Sequence, residues 1–361
     1  MESLRWLRLA PLALAVVTGS VGPGRAVVGA TVDPSWDPPP CPAADTGEPP
    51  GAGAWYRLDP ALDRAGTLAG MRLTVGVAGD GGRRLDLAPE SFASGPVDEL
   101  VLAGEDDGSA SHLRLVDPGR GCATAVADEA AVIRSAVLAA DGRSLYEHRV
   151  ERRTREDLGV WQLALGADGR GAGVPTRVLA GLGADPAYGP TFTTDLVAMP
   201  DGRLAVSSCG LEACRVRVLE PATGSVTHVD QTGPALGVTG DRLVARAACP
   251  GLPCSIDSVD LSTGRRTALV EDALAATLGG GTLVYEVPGG RVATLDVATG
   301  RRGAPASAGG VPIRGGSTAT AGAEAPPGRV PLAPLGRPGA TTVRGFDPAS
   351  GSSVSIDGAT R

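Results

Sequence analysis

Asp201-Gly-Arg-Leu-Ala-Val-Ser-Ser-Cys209 runs through Gly-Leu-Glu-Ala into Cys214-Arg-Val-Arg-Val-Leu-Glu-Pro-Ala-Thr-Gly224. Asp241-Arg-Leu-Val-Ala-Arg-Ala-Ala-Cys249 runs in the same way through Pro-Gly-Leu-Pro into Cys254-Ser-Ile-Asp-Ser-Val-Asp-Leu-Ser-Thr-Gly264. The leading aspartates, both cysteines and the closing glycine each recur 40 residues on (201/241, 209/249, 214/254, 224/264). A period of that length is the mark of a repeat architecture in which each unit buries its apolar face against the next.

Outward from this pair, short apolar runs alternate with turn signals from Trp55 almost to the end. Met71-Arg-Leu-Thr-Val-Gly-Val77 and Arg84-Leu-Asp-Leu87 flank a Gly-Asp-Gly-Gly turn, and Leu100–Ala103 and His112–Val116 flank Glu105-Asp-Asp-Gly108. Both read as hairpins. The shared template is an entry strand, an Asp-Gly-Arg turn, a strand, a hairpin, a strand, an Asp-x-x-Thr-Gly turn and a last strand. Four antiparallel strands in about 40 residues is a propeller blade. The expected fold is therefore all-β, a single β-propeller of four-stranded antiparallel blades over residues 54–361. Seven blades are preferred, because six units are clear and a seventh is degenerate; six is the alternative. A β-sandwich would leave the register between the two cysteine-bearing units unexplained.

The turns carry a family resemblance. Met199-Pro-Asp-Gly-Arg-Leu-Ala-Val206 and Leu138-Ala-Ala-Asp-Gly-Arg-Ser-Leu145 resemble the Pro-Asp-Gly-x-x-Leu turn of the WD40-like repeats in TolB-type bacterial propellers. Val259-Asp-Leu-Ser-Thr-Gly264 and Leu295-Asp-Val-Ala-Thr-Gly300 are similar to the Val-Asp-x-x-Thr-Gly turn of the same group. The resemblance covers about Ala131 to Gly300 and is a blade motif, so it implies a fold and no particular activity.

Composition bounds the rest. A net charge of −7 argues against a nucleic-acid backbone as partner. The 53 glycines and 30 prolines suit tight turns, while 42% hydrophobic residues are too many for a disordered chain. Residues 1–30 read as a secretory signal peptide: Arg5 and Arg8, the apolar run Leu9–Val17, then small residues at Val28-Gly-Ala30. The apolar run is too short to span a bilayer, so no membrane span is expected after cleavage. Residues 31–53, rich in Pro, Asp and Gly, read as an extended arm. The expected location is exported: extracellular, periplasmic or cell-wall space.

Six cysteines in an exported chain point to disulfides. Cys209/Cys214 and Cys249/Cys254 each bracket a hairpin tip, where opposed Cα atoms lie within disulfide reach. Cys41 and Cys122 are left to pin the arm to the outer strand of the second blade. A zinc site built from the two C-x4-C pairs is the rival; export and hairpin context favour bridges, and no metal or cofactor is expected.

Two places carry the candidate binding residues. In the first, the innermost strands line a channel, with Arg134 and Asp195 facing a ligand and Tyr188 and Phe192 at its mouth; interblade hydrogen bonds or an ion pair are the competing role. The second is the charge run Glu147–Asp157, in which His148, Arg149, Arg152, Arg153 and Arg155 form either a partner-binding loop or a self-paired, solvated one. No G-x-S-x-G elbow, P-loop or dinucleotide fingerprint occurs. Glu105-Asp-Asp107 reads as an acidic hairpin tip in preference to a calcium loop. The expectation is an exported, non-catalytic propeller binding a protein, peptide or cell-envelope component. The alternative is an extracellular lyase or hydrolase using channel Arg and Asp residues. With three histidines and 3% aromatic residues, general bases and sugar-stacking platforms are scarce, which weighs against the enzyme.

Overall fold

The structure is a computed structural model that describes residues 36–42, 54–64, 67–77, 82–97, 99–182, 193–199, 201–209, 214–229, 232–247, 253–279, 281–306 and five short strands beyond. The signal-peptide segment, Tyr188, Phe192 and Cys249 lie outside the described residues.

Seven sheets are present among the described residues. The first contains β1 (Ala54–Leu62), β2 (Leu68–Val77) and β3 (Arg83–Leu87). The second is β4 (Glu90–Val97), β5 (Leu100–Asp106), β6 (Ser111–Asp117) and β7 (Cys122–Glu129). The third is β8 (Val132–Leu138), β9 (Ser144–Val150), β10 (Asp157–Leu165) and β11 (Gly171–Leu179). The fourth is β12 (Thr193–Ala198), β13 (Leu204–Cys209), β14 (Cys214–Glu220) and β15 (Ser225–Val229). The fifth is β16 (Thr232–Thr239), β17 (Arg242–Ala247), β18 (Cys254–Asp260) and β19 (Arg266–Ala273), and the sixth is β20 (Ala276–Gly279), β21 (Thr282–Val287) and β22 (Arg291–Asp296). The seventh orders β23 (Val311–Pro312), β25 (Val330–Ala333), β26 (Arg344–Phe346) and β27 (Ser353–Ser355). β24 (Ala321–Ala323) leaves that sheet and pairs with β1, with Tyr56 opposite Gly322.

All pairings within the sheets are antiparallel, and the first strand of each sheet lies beside the first strand of the next, from β24 and β4 round to β20 and β23. The fold is a β-propeller, closed by a C-terminal strand that completes the sheet begun at the N-terminal side.

The turns explain why the repeat is written as it is. Asp141 and Asp201 use a side-chain oxygen to accept the amide of Arg143 (2.9 Å) and Arg203 (3.1 Å), which fixes the reversal between first and second strands. In the Asp-x-x-Thr-Gly turns, Asp260 and Asp296 accept the amides of Thr263 (2.9 Å) and Thr299 (2.7 Å). The closing Gly264 and Gly300 stand at φ 70° and 72°, in the left-handed region that glycine enters without a steric cost.

Each apolar cluster is shared by two neighbouring sheets. Tyr56, Leu73 and Val75 pack on Val101 and Val116, and Leu102 and Leu113 pack on Ile133 and Leu145. Serines tie neighbouring sheets together: Ser94 Oγ on β4 donates to the carbonyl of Ala136 (2.8 Å), and Ser207 Oγ on β13 accepts the amide of Ala235 on β16 (2.9 Å).

Cys41–Cys122 and Cys209–Cys214 are disulfides, as expected. Cys254 is also disulfide-bonded, and its expected partner Cys249 lies outside the described residues. Such bonds suit an oxidising compartment. The arm lies across two sheets: the Trp36 amide donates to Arg84 O (2.7 Å), and Pro40 forms a parallel bridge with Ala123 on the outer edge of β7. No described helix is long and apolar enough to cross a membrane.

Candidate binding site at the mouth between the second and third sheets

Arg134 owes its position to a break in the ladder. Ile133 pairs with Arg149 and Ser135 with His148, so Arg134 is an extra residue on β8. A bulge of this kind turns a side chain away from the pleat. Arg134 is exposed between the buried Ile133 and Ser135. Its Nη1 donates to Glu90 Oε2 at 3.1 Å, and Glu90 is the first residue of β4, the neighbouring inner strand. Arg155 Nη1 stands 3.9 Å from the same carboxylate oxygen. Two guanidinium groups thus converge on one solvent-exposed carboxylate.

Arg155 reaches this point from the β9–β10 loop. The Glu151 amide donates to Glu156 O (2.8 Å) and the Arg155 amide to Glu151 O (2.9 Å), closing a tight turn. Arg155 takes φ 61°, a left-handed conformation that a side chain adopts at a cost of about 1 kcal/mol. Arg152, in the same loop, crosses to the second sheet and grips Asp106 with two parallel bonds of 2.8 Å. That grip, with help from Ser111 and the Gly108 amide, holds the Asp106 carboxyl down at about 2.

The charge run is therefore neither a free projection nor one functional unit. His148 and Arg149 are buried in β9 and belong to the frame, a correction to their expected place in an exposed loop. His148 Nε2 lies 2.9 Å from Asp157 Oδ1. Burial pushes the Asp157 carboxyl up, but His148 and the amides of Leu182 and Gly159 outweigh it and hold the group below its ordinary value. Arg149 donates to Glu129 (2.7 Å) and Glu147 (2.9 Å) and stacks on Trp161 at 4.9 Å. Burial drives the Glu147 carboxyl up to about 7 despite its arginine. Arg153 and Arg155 are the exposed arginines of the run.

Asp195 is buried on β12, whereas Arg134 is exposed on β8. The acidic tip turns its carboxylates onto protein groups: Glu105 accepts from Arg114, Asp106 from Arg152, and Asp107 from the amides of Ser109 and Ala110. His112 sits between Asp128 (2.7 Å) and Asp107 (3.1 Å), whose hydrogen bonds raise its pKa above the ordinary value. Sequence reasoning missed Glu90. Its one signal is position, as the residue that opens the inner strand before the one bearing Arg134.

No protein-family model matches the chain, and no curated protein matches it in sequence. Solved structures are. A prolyl endopeptidase matches with a TM-score of 0.55 and 14% identity, over 83% of this chain and 49% of its own. An acylaminoacyl peptidase from Pyrococcus horikoshii matches with a TM-score of 0.51 and 12% identity, over 84% and 50%. The likeness is one of fold. TolB proteins are also among the similar structures, that of Acinetobacter baumannii at a TM-score of 0.45 and 13% identity, over 70% of this chain and 62% of its own. The chain spans less than two thirds of the length of each of these three proteins.

Proposed function

We propose that the protein is an exported, non-catalytic propeller that binds a protein, peptide or cell-envelope ligand at the mouth between its second and third sheets. The convergence of Arg134 and Arg155 on the exposed Glu90 carboxylate carries this reading. Glu90 occupies the place that a ligand carboxylate takes, and exchanging one carboxylate for another leaves both guanidinium groups paired. The loop and bulge that present the two arginines are fixed in advance by the Arg152–Asp106 grip, which lowers the ordering cost of binding. The signal-like N-terminal segment and the disulfides support export. The enzyme alternative asks Asp195 to reach a substrate, and its burial favours binding instead.

The test is capture of envelope components on the immobilised full chain and on an R134E/R155E variant, with polymer and peptide turnover measured on the same preparations. Saturable capture that falls at least tenfold in the variant is expected. Capture indifferent to the charge reversal removes this site, and turnover by the purified chain removes the non-catalytic reading.

A further inference from the structure

We propose a second binding surface, separate from the mouth: the groove between the fourth and fifth sheets docks an extended, proline-containing, acidic segment of a partner protein. That segment adds to the outer edge of β15 as the chain's own arm adds to the outer edge of β7.

The two places are equivalent in the repeat. β7 runs back along β6 with Asp117 opposite Cys122 and Val116 opposite Ala123. β15 runs back along β14 with Glu220 opposite Ser225 and Leu219 opposite Val226, so Val226 holds the position of Ala123. Beside each outer strand lies a groove of nearly the same size, about 490 Å³ at β7 and 480 Å³ at β15. Each is floored by the outer strand and walled by the third-to-fourth-strand turn of the next sheet. At β7 these are Thr124 and Ala125 with Asp168 and Arg170; at β15 they are Thr227 and His228 with Asp260 and Arg266.

The groove at β7 has a further wall, made by Pro38, Pro40, Cys41 and Pro42 of the arm. There the Ala123 amide donates to Pro39 O (2.9 Å), and the Cys41 amide donates to Ala123 O (3.1 Å). At β15 no described segment pairs with the corresponding edge, and Ser225, Thr227 and His228 are exposed. By register, the outward amides and carbonyls on that edge are those of Val226 and His228, and such an edge recruits an extended chain.

The arm also indicates the chemistry of the occupant. Its alternate prolines offer no amide on the far side, so one segment docks and no further strand follows. At β15 the groove carries the nitrogen-bearing side chains of His228 and Arg266. Arg266 Nη1 stands 3.8 Å from Asp257 Oδ2 below the groove. The one carboxylate that lines the groove, Asp260, is engaged by Ser262 (2.6 Å) and the Thr263 amide (2.9 Å), which leaves the exposed His228 ring as the group an incoming carboxylate meets. An acidic residue in the segment complements that group, and the arm sequence Trp36-Asp-Pro-Pro-Pro-Cys-Pro42 carries one, Asp37.

The probe is a fluorescein-labelled peptide of residues 34–42 carrying Cys41→Ser, titrated onto the full disulfide-bonded chain. Saturable binding is expected, at least fivefold weaker in Val226→Pro, which removes the outward donor that corresponds to Ala123, and in His228→Asp, which opposes the acidic residue. Binding is expected to be unchanged in R134E/R155E, which separates this surface from the mouth. The proposal is overturned if no saturation appears by about 1 mM peptide, or if both variants bind as tightly as the parent chain. Concentration-dependent dimers of the chain that V226P abolishes overturn it in favour of self-association.

Discussion

Asp106 and Arg152 stand 46 residues apart and on different sheets, yet they share two bonds of 2.8 Å with the carboxylate almost wholly buried. Removing the arginine strands that carboxylate, so Arg152→Ala is expected to cost about 2 kcal/mol in urea denaturation. Arg153→Ala, a few ångströms along an exposed loop, is expected to stay within about 0.5 kcal/mol. The two residues are neighbours in sequence and equal in charge, and nothing local in the sequence separates their roles. Buried Glu147 supplies a pH test. Its carboxyl is raised from 4.5 to about 7, so the folded state binds a proton that the unfolded state releases. The stability it contributes is complete below 4.5 and is lost as pH rises through 7. Glu147→Gln is expected to flatten the stability profile between pH 5 and 8, removing a decline of up to about 3 kcal/mol. Asp106 acts in the opposite sense, losing its contribution as pH falls from 3.8 through about 2.

Turns are the part of the elements most legible in the sequence, because their chemistry is local. An aspartate oxygen bonds an amide two or three residues on, so Asp141, Asp201, Asp260 and Asp296 each mark a reversal by themselves. The 40-residue register of the cysteines reads equally well, since a hairpin tip sets its own geometry. The bulge at Arg134 does not read, because an extra residue in a ladder shows only once the partner strand is placed. The arm was legible as extended and as pinned through its cysteine to the outer strand of the second sheet, but the parallel backbone bridge of Pro40 to Ala123 was not. Its disulfide closes a far longer loop than that of a hairpin tip, with separations of 81 and 5 residues. Chain entropy then predicts losses of about 4 kcal/mol for C41S/C122S and about 2 kcal/mol for C209S/C214S in denaturation at equal pH. Equal losses would mean that the arm's tie adds nothing beyond its local contacts.

Ring closure belongs to the whole molecule and was the least legible feature. β24 is Ala-Gly-Ala, with no apolar alternation to announce a strand, and it gains its place only because β1 lacks an inner neighbour. The chain begins its first sheet at what becomes the second position and fills the first position more than 250 residues later, when Ala321, Gly322 and Ala323 pair with Arg57, Tyr56 and Trp55. Such a closure makes the first sheet depend on the last. A chain ended after Ala306 keeps β1 to β22 but leaves the inner edge of β1 unpaired beside β4. Trp55 and Tyr56, both buried in the full chain, then lose their covering strand. The shortened chain is expected to unfold at lower urea with a loss of about 3 kcal/mol or more, from lost burial and from the ladder bonds of β1. The loss is expected to be uneven: amide exchange should accelerate first at β1 and β2, while β13 and β14, on the far side of the ring, keep their protection. Uniform acceleration in every sheet would mean that the propeller unfolds as one unit and that β24 is a clasp for the whole ring. Unchanged exchange at Tyr56 would mean that β24 closes nothing.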